Sequence, residues 1–188
     1  MTHTEMVAAL KSRFGAAVLG TVEFRGEQTV NVTLASIHEV MAFAKGELGF
    51  DYLVDVSSLD HLGEEPRFEM VYELYGYGHG THLRIKCKVS EDESVPTMSD
   101  LWLTADWHER EAYDMMGIDF AGHPDLRRIL MWEGYPFFPL RKDFPLEGRP
   151  SDMPDVAFTG VAPLEGGPFV TSAGGADTVA REPRARRV

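Results

Sequence analysis

The strongest constraint on the fold is the alternation in residues 82–89, where Leu83, Ile85, Cys87 and Val89 interleave with Arg84, Lys86 and Lys88. Successive side chains of a strand point to opposite faces, so this two-residue period requires a sheet with one buried and one wet face. Such a sheet takes its helices on the apolar side, and the neighbouring sequence supplies them. Met6, Val7, Leu10 and Phe14 have helical spacing, and Gly15 ends that run. Residues 16–24 and 29–34 read as two strands joined by a turn at Arg25-Gly26-Glu27. Ser36 is read as the cap of a helix running to about residue 48, with Ile37, Val40, Met41 and Ala44 on one face and Gly49 at its end. Residues 51–59, with Tyr52, Val54 and Val56 on one face, and residues 68–77, with Phe68, Met70, Tyr72 and Leu74, precede the opening strand. The order αββαβββ and then a further helix predicts an α+β fold: a mixed β-sheet of about five strands with helices packed on one face.

From Pro150 the composition changes. Residues 151–188 hold five Gly, four Pro and few large apolar side chains, so they are expected to build no core of their own. The predicted organisation is a domain over 1–149 and an extended tail over 150–188 that wraps a partner or stays disordered. Its closing arginines, Arg181, Arg184, Arg186 and Arg187, are read as a solvated terminus. A net charge of −12 argues against nucleic acid or an anionic membrane surface as the main partner. No run approaches the roughly 18 apolar residues of a bilayer span, and the first residues lack the pattern of a signal peptide. The expected compartment is the cytosol. Cys87 is the single cysteine, too few for an internal disulfide or an iron–sulfur cluster.

Residues 107–148 carry the charged groups that invite a functional reading. Asp106 is read as an N-cap, with Glu109 three residues on as its capping-box carboxylate. At about 100° per residue, Trp107, Arg110, Glu111 and Asp114 gather on one side of the helix. Ala112, Tyr113, Met115 and Met116 gather on the other, and Glu109 lands in the middle of that apolar side. A carboxylate there is costly to desolvate unless it is paired or hydrogen-bonded. Gly117 stops the helix, and Gly122-His123-Pro124 turns the chain toward Asp125, Arg127 and Arg128. After a crowd of Pro and aromatic residues come Arg141, Lys142 and Asp143. An acidic helix followed by two basic clusters predicts a charge network in which Arg127, Arg128, Arg141 and Lys142 neutralise Glu109, Glu111 and Asp114.

These residues also form a familiar pattern. Glu109-Arg110-Glu111, then Asp114, two large apolar residues, His123, Arg127 and Ile129-Leu130 resemble the signature of the C subunit of respiratory complex I. Pro139-Leu140-Arg141-Lys142-Asp143-Phe144-Pro145-Leu146 is similar to a second segment of that family. Val95-Pro96-Thr97 with Asp100-Leu101-Trp102 resembles its approach to the helix. The likeness is close over 95–148 and looser before it. At Phe137-Phe138 many relatives carry Gly-His instead.

The resemblance implies a cofactor-free structural subunit in the peripheral arm of the proton-translocating NADH:quinone oxidoreductase. It places the chain on the cytoplasmic side of the bacterial inner membrane, docked to the D subunit near the quinone-reducing module and its iron–sulfur neighbours. Contact with the membrane is then only through the complex, and FMN, iron–sulfur clusters and quinone belong to partner subunits. Glu109, Arg110, Glu111, Asp114, His123, Arg127, Arg128, Arg141, Lys142 and Asp143 become a structural and docking signature, with no catalytic, metal or cofactor-binding residue. The same ancestry also admits a subunit of a membrane-bound hydrogenase or another complex I-related assembly.

Other chemistries compete for some of these residues. Gly76-Tyr77-Gly78-His79-Gly80 resembles a phosphate loop, but a strand follows it where such a loop requires a helix, so a hairpin turn is the better reading. His61, His79 and His82, with His108, suggest a zinc site or a metal-dependent hydrolase, yet no supporting ligand lies at a useful offset. They are read as exposed histidines. His123 is expected to hold its turn by a hydrogen bond. Glu109, Glu111 and Asp114 have no nucleophile or cofactor motif beside them, so ion pairing is preferred to acid–base catalysis. Trp132, Tyr135, Phe137, Phe138 and Phe144 fit either a core or an interface.

Overall fold

The computed structural model describes residues 2–146, so the expected tail at 150–188 and its boundary lie outside the described residues. A compact unit spans Met1–Lys142, and a second unit begins at Asp143. Helix α1, His3–Phe14, starts three residues before the apolar pattern does, because Thr2 and Glu5 form a capping box. The Glu5 carboxylate accepts the Thr2 N–H at 2.7 Å, and Thr2 Oγ1 accepts the Glu5 N–H at 3.4 Å. Strands β1, Val18–Phe24, and β2, Glu27–Val32, form a hairpin through Arg25 and Gly26. Both turn residues have positive φ, 53° and 82°, the backbone that a two-residue hairpin loop with the native strand twist demands.

Helix α2, Ile37–Gly46, buries Ile37, Val40, Met41 and Ala44 as its periodicity predicts. Its capping differs from expectation. Ser36 makes no cap hydrogen bond to the helix; it sits in a short 3-10 turn and takes a bond from Thr33 Oγ1. Strand β3 is Tyr52–Asp60, β4 is Phe68–Gly76 and β5 is Thr81–Val89. The five strands order β1-β2-β5-β4-β3, with β2 and β5 parallel and every other pair antiparallel. The glycine-rich stretch after Tyr75 is the β4–β5 hairpin turn, as its following strand implied.

The alternation of β4 and β5 is as read, with Phe68, Met70, Tyr72 and Leu74 and then Leu83, Ile85, Cys87 and Val89 all buried. β3 corrects its prediction. A register shift between Leu53 and Asp55 inserts Val54 as an extra residue, so Val56 is buried as predicted, but Leu53 and Asp60 join it inside in place of Tyr52 and Val54. The inner face packs with Met6 and Leu10 of α1, with α2, and with Ala105, Ala112, Met115 and Met116 of helix α3, Thr104–Met116. The opposite face carries cross-strand ion pairs, Arg84 with Glu73 at 2.9 Å and Lys86 with Glu69 at 3.1 Å. A small parallel pair, β6 (Ser94–Pro96) and β7 (Asp119–Ala121), lies beyond the main sheet and had no clear signal in the sequence. Ile85 is fully buried in the sheet while Lys88 faces solvent on the same strand. In urea denaturation, Ile85→Ala is expected to cost about 2–5 kcal/mol and Lys88→Ala less than about 0.5 kcal/mol.

Candidate functional site

The β6–β7 pairing organises the site. Val95 sits opposite Phe120, and the Thr97 N–H reaches the Ala121 carbonyl at 3.0 Å, which fixes the chain just before α3 beside the chain just after it. That places Thr97 and Met98 over the second turn of α3. Glu109, fully buried, accepts the Thr97 hydroxyl at 2.5 Å on Oε2 and the Met98 N–H at 2.6 Å on Oε1. The expected capping box is therefore corrected. The helix begins at Thr104, before Asp106, and its N-cap, Leu103, offers no side-chain bond. Glu109 caps the preceding loop in place of its own helix.

His123 closes the other side of this pocket with a fully buried side chain. Its Nδ1 accepts the Asp125 N–H at 3.0 Å, so Nε2 carries the proton and donates to the Asp106 carbonyl at 3.2 Å. The ring is thus the neutral tautomer and holds its turn as read from sequence. Its Nε2 stands 3.9 Å from Glu109 Oε2, and among the described residues no other basic group lies within salt-bridge distance of that carboxylate. Burial, opposed by the two hydrogen bonds and reinforced by Asp100 and Asp106, pushes Glu109 up to about 7.

Asp114 is the opposite case. It is also fully buried, but Oδ2 accepts three successive backbone N–H groups, from Ile129 at 3.0 Å, Leu130 at 2.7 Å and Met131 at 2.8 Å. Oδ1 takes the Arg128 guanidinium at 2.5 Å. Burial pushes its pKa up, but the three amides and Arg128 outweigh burial and hold the carboxyl below its ordinary value. Arg110 reaches the same loop, donating to the carbonyls of Arg127 at 3.2 Å and Arg128 at 3.3 Å. The loop at residues 127–131 thus folds over part of the charged side of α3. Arg110 and Asp114 are covered by residues 127–131, and only Trp107 and Glu111 of that stripe stay exposed.

The second basic cluster fastens the C-terminal end of α3. Gly117 ends the helix with φ 73°, and a β-carbon there would fall 2.7 Å from both Arg141 Nη2 and the Phe138 ring. Arg141 donates to the Met116 carbonyl at 2.5 Å and lies between the rings of Phe68 and Phe138. The Leu140 N–H bonds the Met115 carbonyl at 3.1 Å, and the Lys142 N–H bonds Asp60 Oδ2 at 2.7 Å. Asp60 itself is clamped by Arg67 through Nε at 2.8 Å and Nη2 at 2.7 Å, and that bond holds its carboxyl low. Asp60 and Arg67 had no periodicity or motif to reveal them. Their burial shows only once β3 and its connection to β4 are folded together.

The predicted neutralisation is thus narrower than expected. Of the four cations, Arg128 alone pairs with a carboxylate of α3. Arg127 pairs with Asp125 on the surface, Arg141 bonds a helix-end carbonyl, and Lys142 contributes its backbone. Glu111 is exposed and makes no salt bridge among the described residues. Asp143 is exposed at the start of the second unit. Tyr135 is buried and meets Trp132 and Phe137 edge-on, whereas Trp132 is exposed, so the aromatic cluster divides between interior and surface.

The histidines are also scattered. His61 faces Glu69, His82 faces Glu73, and His108 faces Asp55. His79 is not exposed as predicted: it bonds the Leu48 carbonyl and the Thr81 hydroxyl and meets the Phe50 ring edge-on. Among the described residues no three His, Cys, Asp or Glu side chains are grouped to hold a metal ion. Cys87 is buried, and burial pushes its thiol up to about 12, far from the thiolate a nucleophile requires.

The match to known proteins covers this network. Over residues 30–150 the chain matches the family described as "Respiratory-chain NADH dehydrogenase, 30 Kd subunit". The chain belongs to that family. It is 46% identical over 165 residues to the C 2 subunit of the NADH-quinone oxidoreductase of Rhizobium meliloti, covering 80% of this chain and 91% of that protein. The C subunit of the Geotalea uraniireducens enzyme is 47% identical over 147 residues, covering 78% and 90%. Among solved structures, a chain of the membrane-bound sulfane sulfur reductase, an archaeal respiratory membrane complex, has the same fold, with TM-score 0.66 and 23% identity over 76% of this chain and 85% of that one. As a member of the complex I C-subunit family, this chain is a subunit of an oxidoreductase assembly. No helix among its described residues is long and apolar enough to cross a membrane.

The two buried carboxylates make opposite demands on pH. Asp114 has a lowered folded pKa, so its contribution is present above its ordinary value of 3.8 and is lost as pH falls through the folded value. Asp114→Asn is expected to cost about 3–5 kcal/mol at pH 7, with the gap to wild type closing in acid. Glu109 has a raised folded pKa, so its contribution is complete below 4.5 and is lost as pH rises through about 7. Glu109→Gln is expected to gain on wild type between pH 5 and 8 by about 3 kcal/mol, read from unfolding midpoints across that range.

Proposed function

We propose that this chain is a structural subunit of a proton-translocating NADH:quinone oxidoreductase, with no reaction performed by its own side chains. It docks to the D subunit beside the quinone-reducing module, on the cytoplasmic side of the membrane. FMN, iron–sulfur clusters and quinone are held by the partner subunits. The observation that carries the reading is how the signature charges are used. Asp114, Arg110, Arg128 and Arg141 spend their hydrogen bonds on backbone groups of the loop at residues 127–131 and of the end of α3. A catalytic carboxylate must face a substrate, whereas Glu109 and Asp114 are fully buried. Such a network fixes the shape of a loop surface, and shape is what a docking subunit supplies.

The relatives are named as C subunits of NADH-quinone oxidoreductases, which favours the quinone-linked enzyme over the hydrogenase alternative. The surface is best tested where it is exposed. Arg141 is mostly buried inside the network, so its reversal would disturb the fold itself. Arg127 and Lys142 are exposed. A tagged wild-type chain purified from native membranes is expected to co-elute with iron–sulfur subunits and NADH:quinone reductase activity. Arg127→Glu with Lys142→Glu is expected to fold normally and recover less of that complex. A wild-type chain that elutes alone sinks the assignment, and undiminished recovery by the double variant removes these two residues from the interface.

A further inference from the structure

The network leaves one side of α3 uncovered. Leu103, Trp107 and Glu111 recur every four residues and so form one stripe; Leu103 is 88% and Trp107 61% exposed, and Glu111 is exposed as well. Trp107 is held in place from behind, because Arg110 lies 5.2 Å from its ring centroid while donating to the Arg127 and Arg128 carbonyls. An exposed aromatic ring braced by a fixed guanidinium is arranged as an anchor for another surface.

Beside this stripe lies a cleft of about 160 Å³ between α3 and β3. Its apolar wall is Ala112, Met115, Met116 and the half-exposed Leu140. Its polar rim is Asp55 and Glu111, with Ser57 and Ser58 between them and no cation in the lining. His108 stands 3.2 Å from Asp55 Oδ1, and Glu111 has no cation paired with it among the described residues. β3 is an edge strand, bonded within the sheet to β4 alone.

We infer that this cleft receives an arginine or lysine side chain from another polypeptide, whose neighbouring residues pack on Leu103 and Trp107. The charge of the rim selects a cation, and the methionines and Leu140 accept its aliphatic stem. The inference rests on the docking role proposed above and adds where, and through what chemistry, one partner is read.

Two experiments on the full chain in its native membrane complex test it. Benzoylphenylalanine placed at Ser57 and irradiated is expected to cross-link a segment of another subunit carrying Arg or Lys beside the attachment point. Glu111→Arg is expected to lower recovery of the assembled complex by at least about tenfold. Changing the cross-linked basic residue to Glu is expected to restore it. Circular dichroism and thermal unfolding identify a variant that misfolds, in which case Glu111→Gln takes its place, with a smaller loss relative to wild type that shrinks as salt is raised. Wild-type recovery in the folded variant overturns the inference, as does a cross-link to a second copy of this chain, or to a segment without a basic residue, or failure of the charge swap. If Glu111→Arg assembles normally while the wild type still co-elutes with its partners, the cleft is wrong and the docking role stands. If the wild type elutes alone, the docking role itself has failed.

Discussion

Asp114 is a carboxylate removed from water whose two oxygens receive four hydrogen bonds, three from consecutive backbone amides and one from Arg128. Three successive N–H groups converge on one point only if the chain there bends into a nest, so the helix imposes the conformation of residues 129–131. Arg128 then has its remaining donors free to bond the Asp114 and Phe137 carbonyls and to lie against Tyr135 and Phe138. Residues 129–131 are held by this contact, and the Phe137 carbonyl and the Tyr135 and Phe138 rings by the Arg128 it positions. Removing the charge leaves a set of buried donors facing a poorer acceptor, and for that reason a single side chain governs a long irregular stretch.

Glu109 and Asp114 stand five residues apart on one helix and show how environment separates two carboxylates. Asp114 has a cation and three amides, enough to outweigh burial. Glu109 has one hydroxyl and one amide, with a neutral imidazole as its basic neighbour, and burial wins. A pair of carboxylates with divergent pKa values is often read as an acid and a base. Here both are sealed, and each is directed at a loop: Glu109 at residues 97–98, Asp114 at residues 129–131. The divergence records two different ways of tying irregular chain to one helix.

The parts of the fold that were legible are those governed by repetition. The two-residue period of β4 and β5 and the helical spacing of α2 describe surfaces that face one core, and burial follows such periods without knowledge of the partner. The parts that were not legible depend on contacts between distant segments. The Val54 bulge, the Asp60–Arg67 clamp and the β6–β7 pair each require two stretches to be already adjacent. The same distinction explains the site. Its membership was visible as a resemblance over residues 95–148, and the helical projection grouped Arg110 with Asp114, but it could not show which backbone groups of the returning loop they would bind. The capping box failed for a related reason: β6 and β7 hold Thr97 and Met98 over Glu109, and two tertiary donors outcompete the local one for its carboxylate.

Bracing of this kind has a consequence for what the subunit presents to its surroundings. A loop held by side-chain to backbone bonds loses its freedom before any partner arrives, so association need not order it. The same bonds consume the charges nearest the helix and leave outward the groups they do not need: Trp107, Glu111, Arg127 and Lys142. Those exposed residues alternate in character around a rigid frame, two aligned along α3 and two on the loops beyond it. On the docking role proposed above, a surface of that kind would discriminate among partners by fit and charge. The interior charges are spent on shape, and the exposed ones are left for whatever surface meets the frame.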